Sequence, residues 1–165
     1  VACGVHDKRR ALNKHIRELK GYTGFLPNVG EKLIAVANNK DDQIFNGTLW
    51  IVTRSEEHGD YANMDLVEYN PRVDPKDLEF RINVDVHMSC FIKDIKSADD
   101  LGIRLKHGST LMTWGWCVTV HKLQGSEFNT GLVFDDGDVF KGQQKEWRYT
   151  AVTRFAKYVY VVSRR

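Results

Sequence analysis

Residues 114–134 read Trp-Gly-Trp-Cys-Val-Thr-Val-His-Lys-Leu-Gln-Gly-Ser-Glu-Phe-Asn-Thr-Gly-Leu-Val-Phe, and the order of polar and apolar residues along this stretch decides the fold class. The run Thr119 to Glu127 is polar, yet Trp114, Trp116 and Cys117 precede it and the apolar run Leu132 to Phe134 follows it. Polar groups gathered between core elements read as a connection that carries a site, because loops outside strand ends are where α/β sheets present binding groups. The spacing predicts a helix around Trp116 to Gln124, broken at Gly125, and a strand over Leu132 to Phe134. Further on, Trp147, Ala151 and Phe155 recur at helical spacing and predict a helix over Lys145 to Phe155 with those three residues on its core face. Tyr158 to Val162 closes the chain as a last strand. Strands and helices in alternation favour a parallel sheet.

Working outward, the beginning of the chain has the same character. Val1 to Val5 is a short apolar run, and Lys8 to Lys20 carries Leu12, Ile16 and Leu19 at helical spacing, so strand, loop and amphipathic helix follow one another until Gly21 and Gly24. From Gly30 the period changes. Lys32 to Ala37 and Thr48 to Arg54 are strand-like, with the turn dipeptide Asn46-Gly47 between them. Asp65 to Tyr69, Phe80 to Val86 and Cys90 to Lys93 add short β-rich runs, separated by Asn70-Pro71 with Pro75 and by His87 to Ser89. A small antiparallel barrel or sandwich fits this middle stretch. The economical reading is an α/β domain built from the two ends of the chain and interrupted by an all-β insertion at about 25–106.

Composition limits what such a protein can do. The 165 residues suffice for one ordinary domain or two small ones, and 42% hydrophobic with 28% charged residues is the mix of a soluble globular chain. The 24 Lys and Arg against 22 Asp and Glu leave +2, too little to hold a phosphate backbone without a local basic surface. No apolar run approaches the roughly 20 residues that span a bilayer. No leader is visible after Val1-Ala2-Cys3, and the absence of an initiator Met reads as a fragment or processed product. Cys3, Cys90 and Cys117 are widely spaced and the six histidines lack ligand spacing, so neither a disulfide framework nor a metal site is expected, and a reducing cytoplasm fits.

Two segments carry the chemistry. In Thr119 to Phe128, Gly125 lets a backbone N–H approach an anion and Glu127 can accept hydrogen bonds from ribose hydroxyls, although a polar helix end capped by Gly and Ser has the same composition. His121 has no nucleophile paired with it in sequence. In Trp147 to Arg154, an arginine beside a core-facing stripe can clamp a phosphate with its planar fork, and a solvated surface arginine fits equally well.

Together, Val120-His121-Lys122-Leu123-Gln124-Gly125-Ser126-Glu127-Phe128 resembles motif V, and Tyr149-Thr150-Ala151-Val152-Thr153-Arg154 resembles motif VI, of superfamily 1 helicases of the RecD-like and Dda-like branch that moves 5′ to 3′. Cys3 to Asn13 resembles motif IV, with Arg10 at the place of its arginine. Gly30-Glu31-Lys32-Leu33-Ile34 through Phe45-Asn46-Gly47 is similar to the opening of the SH3-like insertion in these enzymes. The resemblance implies a RecA-like second motor domain over 1–24 and 107–165 and an SH3-like β insertion over 25–106. It implies that Arg154, with Arg10 as a second such group, reaches the γ-phosphate of ATP, that Glu127 holds the ribose, and that Gln124 and Gly125 lie beside the phosphates. Thr119, His121 and Lys122 would face single-stranded DNA. Base stacking would come from aromatics of the insertion or from Trp114 and Trp116, which core packing claims first.

The chain contains no G-x-x-x-x-G-K-[ST] loop and no D-E pair after an apolar strand, the groups that cradle phosphates and hold Mg²⁺. The fold expected is therefore α/β and P-loop-NTPase-like without the P-loop half. The N-terminal RecA-like motor domain would supply the other side of an ATP and Mg²⁺ cleft, and the isolated chain would hydrolyse nothing. A non-catalytic module that binds single strands through the β insertion is the competing expectation.

Overall fold

The computed structural model describes residues 1–70, 73, 77, 81–105 and 107–163. Phe80, where one expected strand starts, Pro71 and Pro75 of an expected loop, and Lys106 at the expected edge of the insertion lie outside the described residues. The chain divides into two compact units, Val1–Ile16 with Trp116–Arg165, and Arg17–Gly115.

The first unit is built on a parallel sheet whose strands run β7-β1-β8-β9: Val118–Thr119 (β7), Ala2–Cys3 (β1), Phe128–Asp135 (β8) and Phe155–Ser163 (β9). Helix α1, His6–Leu19, follows β1, and helix α3, Gln144–Val152, makes the crossover between β8 and β9. A parallel pair needs such a crossover, which is why helix periodicity recurs between the two apolar runs.

Three expectations for this unit are corrected. No helix forms over 116–124: β7 pairs in parallel with β1, and only a 3-10 turn, Val120–Leu123, follows. The local spacing was helical, but the Val118 N–H is taken by the Val1 carbonyl at 3.0 Å and tertiary pairing overrides the local preference. The last helix stops at Val152, and Phe155 opens β9 opposite Phe128 instead of lying on a helical face with Trp147 and Ala151. The buried stripe of α1 is not apolar: Arg9, Asn13 and Arg17 are buried at spacing i, i+4, i+8, while Leu19 is 74% exposed. Asn13 accounts for part of this. Its side-chain amide donates to the Cys117 carbonyl at 3.0 Å, and its Oδ1 accepts from the Cys117 N–H at 2.7 Å, satisfying both backbone groups just before β7.

The second unit is antiparallel throughout. Its sheet has the order β5-β4-β3-β2-β6, with β2 at Lys32–Ala35, β3 at Leu49–His58, β4 at Tyr61–Glu68, β5 at Arg81–His87 and β6 at Met112–Trp114. β3 and β4 form a two-residue hairpin through Gly59-Asp60, and Gly59 takes the positive φ this turn requires. Alternate residues Ala62, Met64 and Leu66 point into the core with Trp50, Val84, Val86, Phe91, Met112 and Trp114. The Thr110 N–H donates to the Asp85 carbonyl at 2.9 Å, so the segment entering β6 bonds to β5 and curls the sheet. Cys90 to Lys93, expected as a strand, forms none: Ser89–Ile92 is a short helix α2 with Lys93 as its C-cap, and it places the Phe91 ring 4.9 Å from Trp114.

Arg17 and Glu31 are the polar centre of this unit. Glu31 is fully buried; it accepts from Arg17 Nε at 2.6 Å and Nη2 at 3.1 Å and from the Asn28 N–H at 2.9 Å. The Arg17 guanidinium also lies 3.6 Å over the Trp114 ring, so charge, hydrogen bonds and aromatic face are matched around one arginine.

Candidate nucleotide and nucleic-acid site

The parallel pairing of β8 and β9 brings the two sequence motifs together. The strands are in register from Phe128↔Phe155 to Asp135↔Ser163, and the Phe128 N–H donates to the Arg154 carbonyl at 2.9 Å. Glu127 and Arg154 therefore stand side by side in the backbone where both strands begin. Phe128 and Phe155 meet at 6.2 Å between ring centroids directly behind them.

Arg154 is held loosely. Its Nε donates to the Thr150 carbonyl and its Nη2 to Thr153 Oγ1, each at 3.3 Å, and among the described residues it has no carboxylate partner. Arg148, on the same helix, differs sharply: it donates to Asp135 at 2.9 Å and Asp138 at 2.7 Å, which raise its pKa above the ordinary arginine value. Arg148 closes the end of β8 onto α3, whereas the partners of the Arg154 fork are a carbonyl and a hydroxyl.

The remaining residues singled out from sequence fall elsewhere. Ala2 pairs with both Val118 and Val133, so Thr119 lies beyond the level of Val133. Val133 is five steps along the strand from Phe128, about 16 Å. Thr119 is buried at the end of β7, and the exposed His121 lies on the 3-10 turn with its ring 6.0 Å from Phe140. Lys122 is half-buried; burial first, and then the positive field of Arg9, lower its pKa below the usual lysine value. Gly125 has φ of +88°, a backbone conformation glycine adopts without strain, and it turns the chain back towards β8 next to the exposed Gln124 and Glu127. Arg10 stands on α1 in an ion pair with Asp7 at 3.7 Å.

Sequence reasoning missed the groups that hold this end of the sheet together. Asp136 accepts from the backbone N–H groups of Gly4 at 2.5 Å and Val5 at 3.1 Å, pinning the end of β8 to the start of α1, where a carboxylate also suits the helix dipole. Gly4 permits this approach, since a Cβ there would come within 2.6 Å of both Asp136 and the Phe140 ring. The signal was present as Asp135-Asp136-Gly137-Asp138 immediately after an apolar run. The thiols of Cys3 and Cys117 touch at 3.6 Å; that contact, and then burial, push Cys3 far above an ordinary thiol pKa, and burial pushes Cys90 up to about 12. Such thiols are inert packing groups. Among the described residues no cluster of His, Cys, Asp or Glu is arranged to hold a metal ion, and no helix is long and apolar enough to cross a membrane.

A parallel sheet with its site groups in the connections, in a chain that also holds a separate antiparallel sheet, is the α/β architecture of a RecA-like domain. The comparisons with known proteins give the same class: residues 115–162 match the UvrD-like helicase C-terminal domain family, the segment that holds both motifs. The fold resembles solved Pif1 helicases. The Candida albicans Pif1 helicase superposes with a TM-score of 0.55 at 14% identity, over 98% of this chain and 44% of that one. Bacteroides Pif1 bound to ssDNA gives 0.52 at 15% identity, over 98% of this chain and 40% of that one. Pif1 from Bacteroides in complex with ADP-AlF3 and ssDNA gives 0.54 at 17% identity, over 100% of this chain and 40% of that one. The chain thus spans less than half the length of these structures. No curated protein matches it. The family match over 115–162 is to a helicase C-terminal domain, and the likeness to the Pif1 helicases is one of fold.

Proposed function

We propose that this chain is the C-terminal part of an ATP-dependent DNA helicase that couples ATP hydrolysis to translocation on single-stranded DNA and to duplex unwinding. In this reading the two ends of the chain form a RecD-like second motor domain and the stretch between them an SH3-like insertion, acting in the cytoplasm against an N-terminal RecA-like motor domain. The observation that carries it is the backbone bond from Phe128 to Arg154, which sets Glu127 and the uncommitted Arg154 at one edge of the parallel sheet.

Each residue then has a physical task. Arg154 offers a planar donor fork to the γ-phosphate and stabilises the charge that grows there, with Arg10 as a second cation. Glu127 accepts from the ribose hydroxyls, and the backbone at Gln124 and Gly125 approaches the phosphates. Bound ATP supplies the free energy of phosphoryl cleavage, with Mg²⁺ held by groups outside this chain. About 16 Å along the strands, Thr119, His121 and Lys122 take the single strand, Lys122 supplying charge. Among the fold neighbours, Bacteroides Pif1 bound to ssDNA and Bacteroides Pif1 in complex with ADP-AlF3 and ssDNA support both ligand classes.

In the intact protein, Arg154→Ala should abolish DNA-stimulated ATP hydrolysis while single-strand affinity stays within about twofold, since an arginine finger contributes about 10³ or more in rate. Unchanged turnover would overturn the assignment. An intact protein without ATPase activity, whose single-strand binding survives, would instead favour a non-catalytic binding module.

A further inference from the structure

A cavity of about 160 Å³ lies between the 3-10 turn Val120–Leu123 and α3 in the first unit. Its aromatic wall is Phe140, stacked on Trp147 with centroids 5.7 Å apart and planes 15° apart, and flanked by the His121 ring. Its polar lining comes from Gln124, Gln143, Glu146 and Thr150. The side chains of Gln124, Gln143 and Glu146 make no hydrogen bond among the described residues, and the buried indole Nε1–H of Trp147 has no acceptor there either. Three flexible polar side chains with uncommitted donors and acceptors, set beside a ring stack, match the edge of a heterocycle.

Charge decides which part of a nucleotide enters. No lysine or arginine lines the cavity, and the carboxylate of Glu146 repels a phosphate from it. The strand-facing cation stands outside: Lys122 follows His121 on the turn. An uncharged base inside with its phosphates outside satisfies both. Size narrows the choice, because a cavity of roughly 150 Å³ accommodates one six-membered aromatic ring.

We propose that this cavity holds one pyrimidine base of the bound strand, placed against Phe140 and His121. Its ring N–H or amino group donates to Glu146 and its carbonyls accept from the amides of Gln124 and Gln143. The inference rests on the reading that the chain takes single-stranded DNA, and it adds a base-sized subsite beside the phosphate-facing residues. Because Thr150 both lines the cavity and accepts from Arg154, a seated base touches the same turn of α3 that holds the arginine.

The test is fluorescence anisotropy with the intact protein on oligo(dT), oligo(dA) and an abasic oligomer of equal length, which keeps the phosphates and removes the bases. Wild type should bind oligo(dT) more tightly than oligo(dA), and both more tightly than the abasic strand. Phe140→Leu should weaken oligo(dT) by about 5- to 100-fold, the range for losing one stacked base, and leave the abasic strand unchanged. Glu146→Ala, at an exposed helix position where folding is not at stake, should also weaken oligo(dT) selectively. Equal wild-type affinity for oligo(dT) and the abasic strand, or wild-type oligo(dT) binding by both variants, overturns the base subsite and leaves single-strand binding intact. Oligo(dA) binding as tightly as oligo(dT) overturns the pyrimidine assignment. No binding of any strand overturns the single-strand reading, and the subsite with it.

Discussion

A methyl group added at Gly131 should loosen the join between β8 and β9 from within. A Cβ there would fall on the Phe155 ring, whose Cδ1 and Cζ atoms lie only 2.5 Å from the position it would take. Phe155 directly follows Arg154 and packs against Phe128, which follows Glu127, so the strain arises behind both proposed nucleotide-facing residues. The half-buried ring can escape only by giving up its packing on β8. Overpacking of this kind costs ~1–3 kcal/mol, and the partial exposure of Phe155 sets the expectation at about 1.5 kcal/mol. For a chain of this size that lowers the melting temperature by about 3–6 °C. Circular dichroism melting of Gly131→Ala, Phe155→Ala and the double variant measures it. The double variant should be more stable than the sum of the single effects predicts, by about 1 kcal/mol, because Phe155→Ala removes the clash. A Gly131→Ala melt within about 1 °C of wild type, or strict additivity in the cycle, would refute the packing described.

Asn13→Leu leaves the buried Cys117 N–H and carbonyl without their partners, and at ~1–3 kcal/mol for each unsatisfied group it should cost about 2–4 kcal/mol in urea unfolding. Glu31→Leu strands Arg17 in the core of the antiparallel unit and should cost about 3–5 kcal/mol, whereas combining it with Arg17→Met should recover most of that loss. Arg54 first, and then Asn83, hold the Asp65 carboxyl below the usual aspartate range, so its native pKa is lower than in the unfolded chain. Its stabilising contribution is complete above pH ~4 and is lost as pH falls through the native value, so Asp65→Asn should lose less stability than wild type on acidification from pH ~5 to ~2.

Much of this fold was legible because periodicity and turn chemistry agree with tertiary pairing. The apolar runs 132–134 and 158–162 are strands, the middle stretch announces its antiparallel strands by Asn46-Gly47 and by the β-rich run from Asp65, and the motif pair falls where β8 and β9 start. Residues 116–124 misled because a two-residue strand carries no period, and only pairing with β1 reveals it. The buried face of α1 misled for a different reason. Arg9, Asn13 and Arg17 look like a solvated stripe until backbone acceptors and Glu31, distant in sequence, are brought to them. The grouping of Glu127 with Arg154 could be suspected from sequence, but the bond that makes it, Phe128 to Arg154, exists only once the strands are in register. The aromatic cavity was not legible at all, since Phe140 and His121 meet only through folding.

Strand displacement on a forked DNA duplex, driven by ATP and carried out with the intact protein and with Arg154→Ala and Arg148→Ala side by side, tests whether Arg154 drives unwinding. Arg154→Ala should unwind nothing while its fold and single-strand affinity persist, and Arg148→Ala should retain unwinding in proportion to the folded protein that survives loss of its bonds to Asp135 and Asp138. Unwinding by Arg154→Ala at the wild-type rate would contradict this role for Arg154.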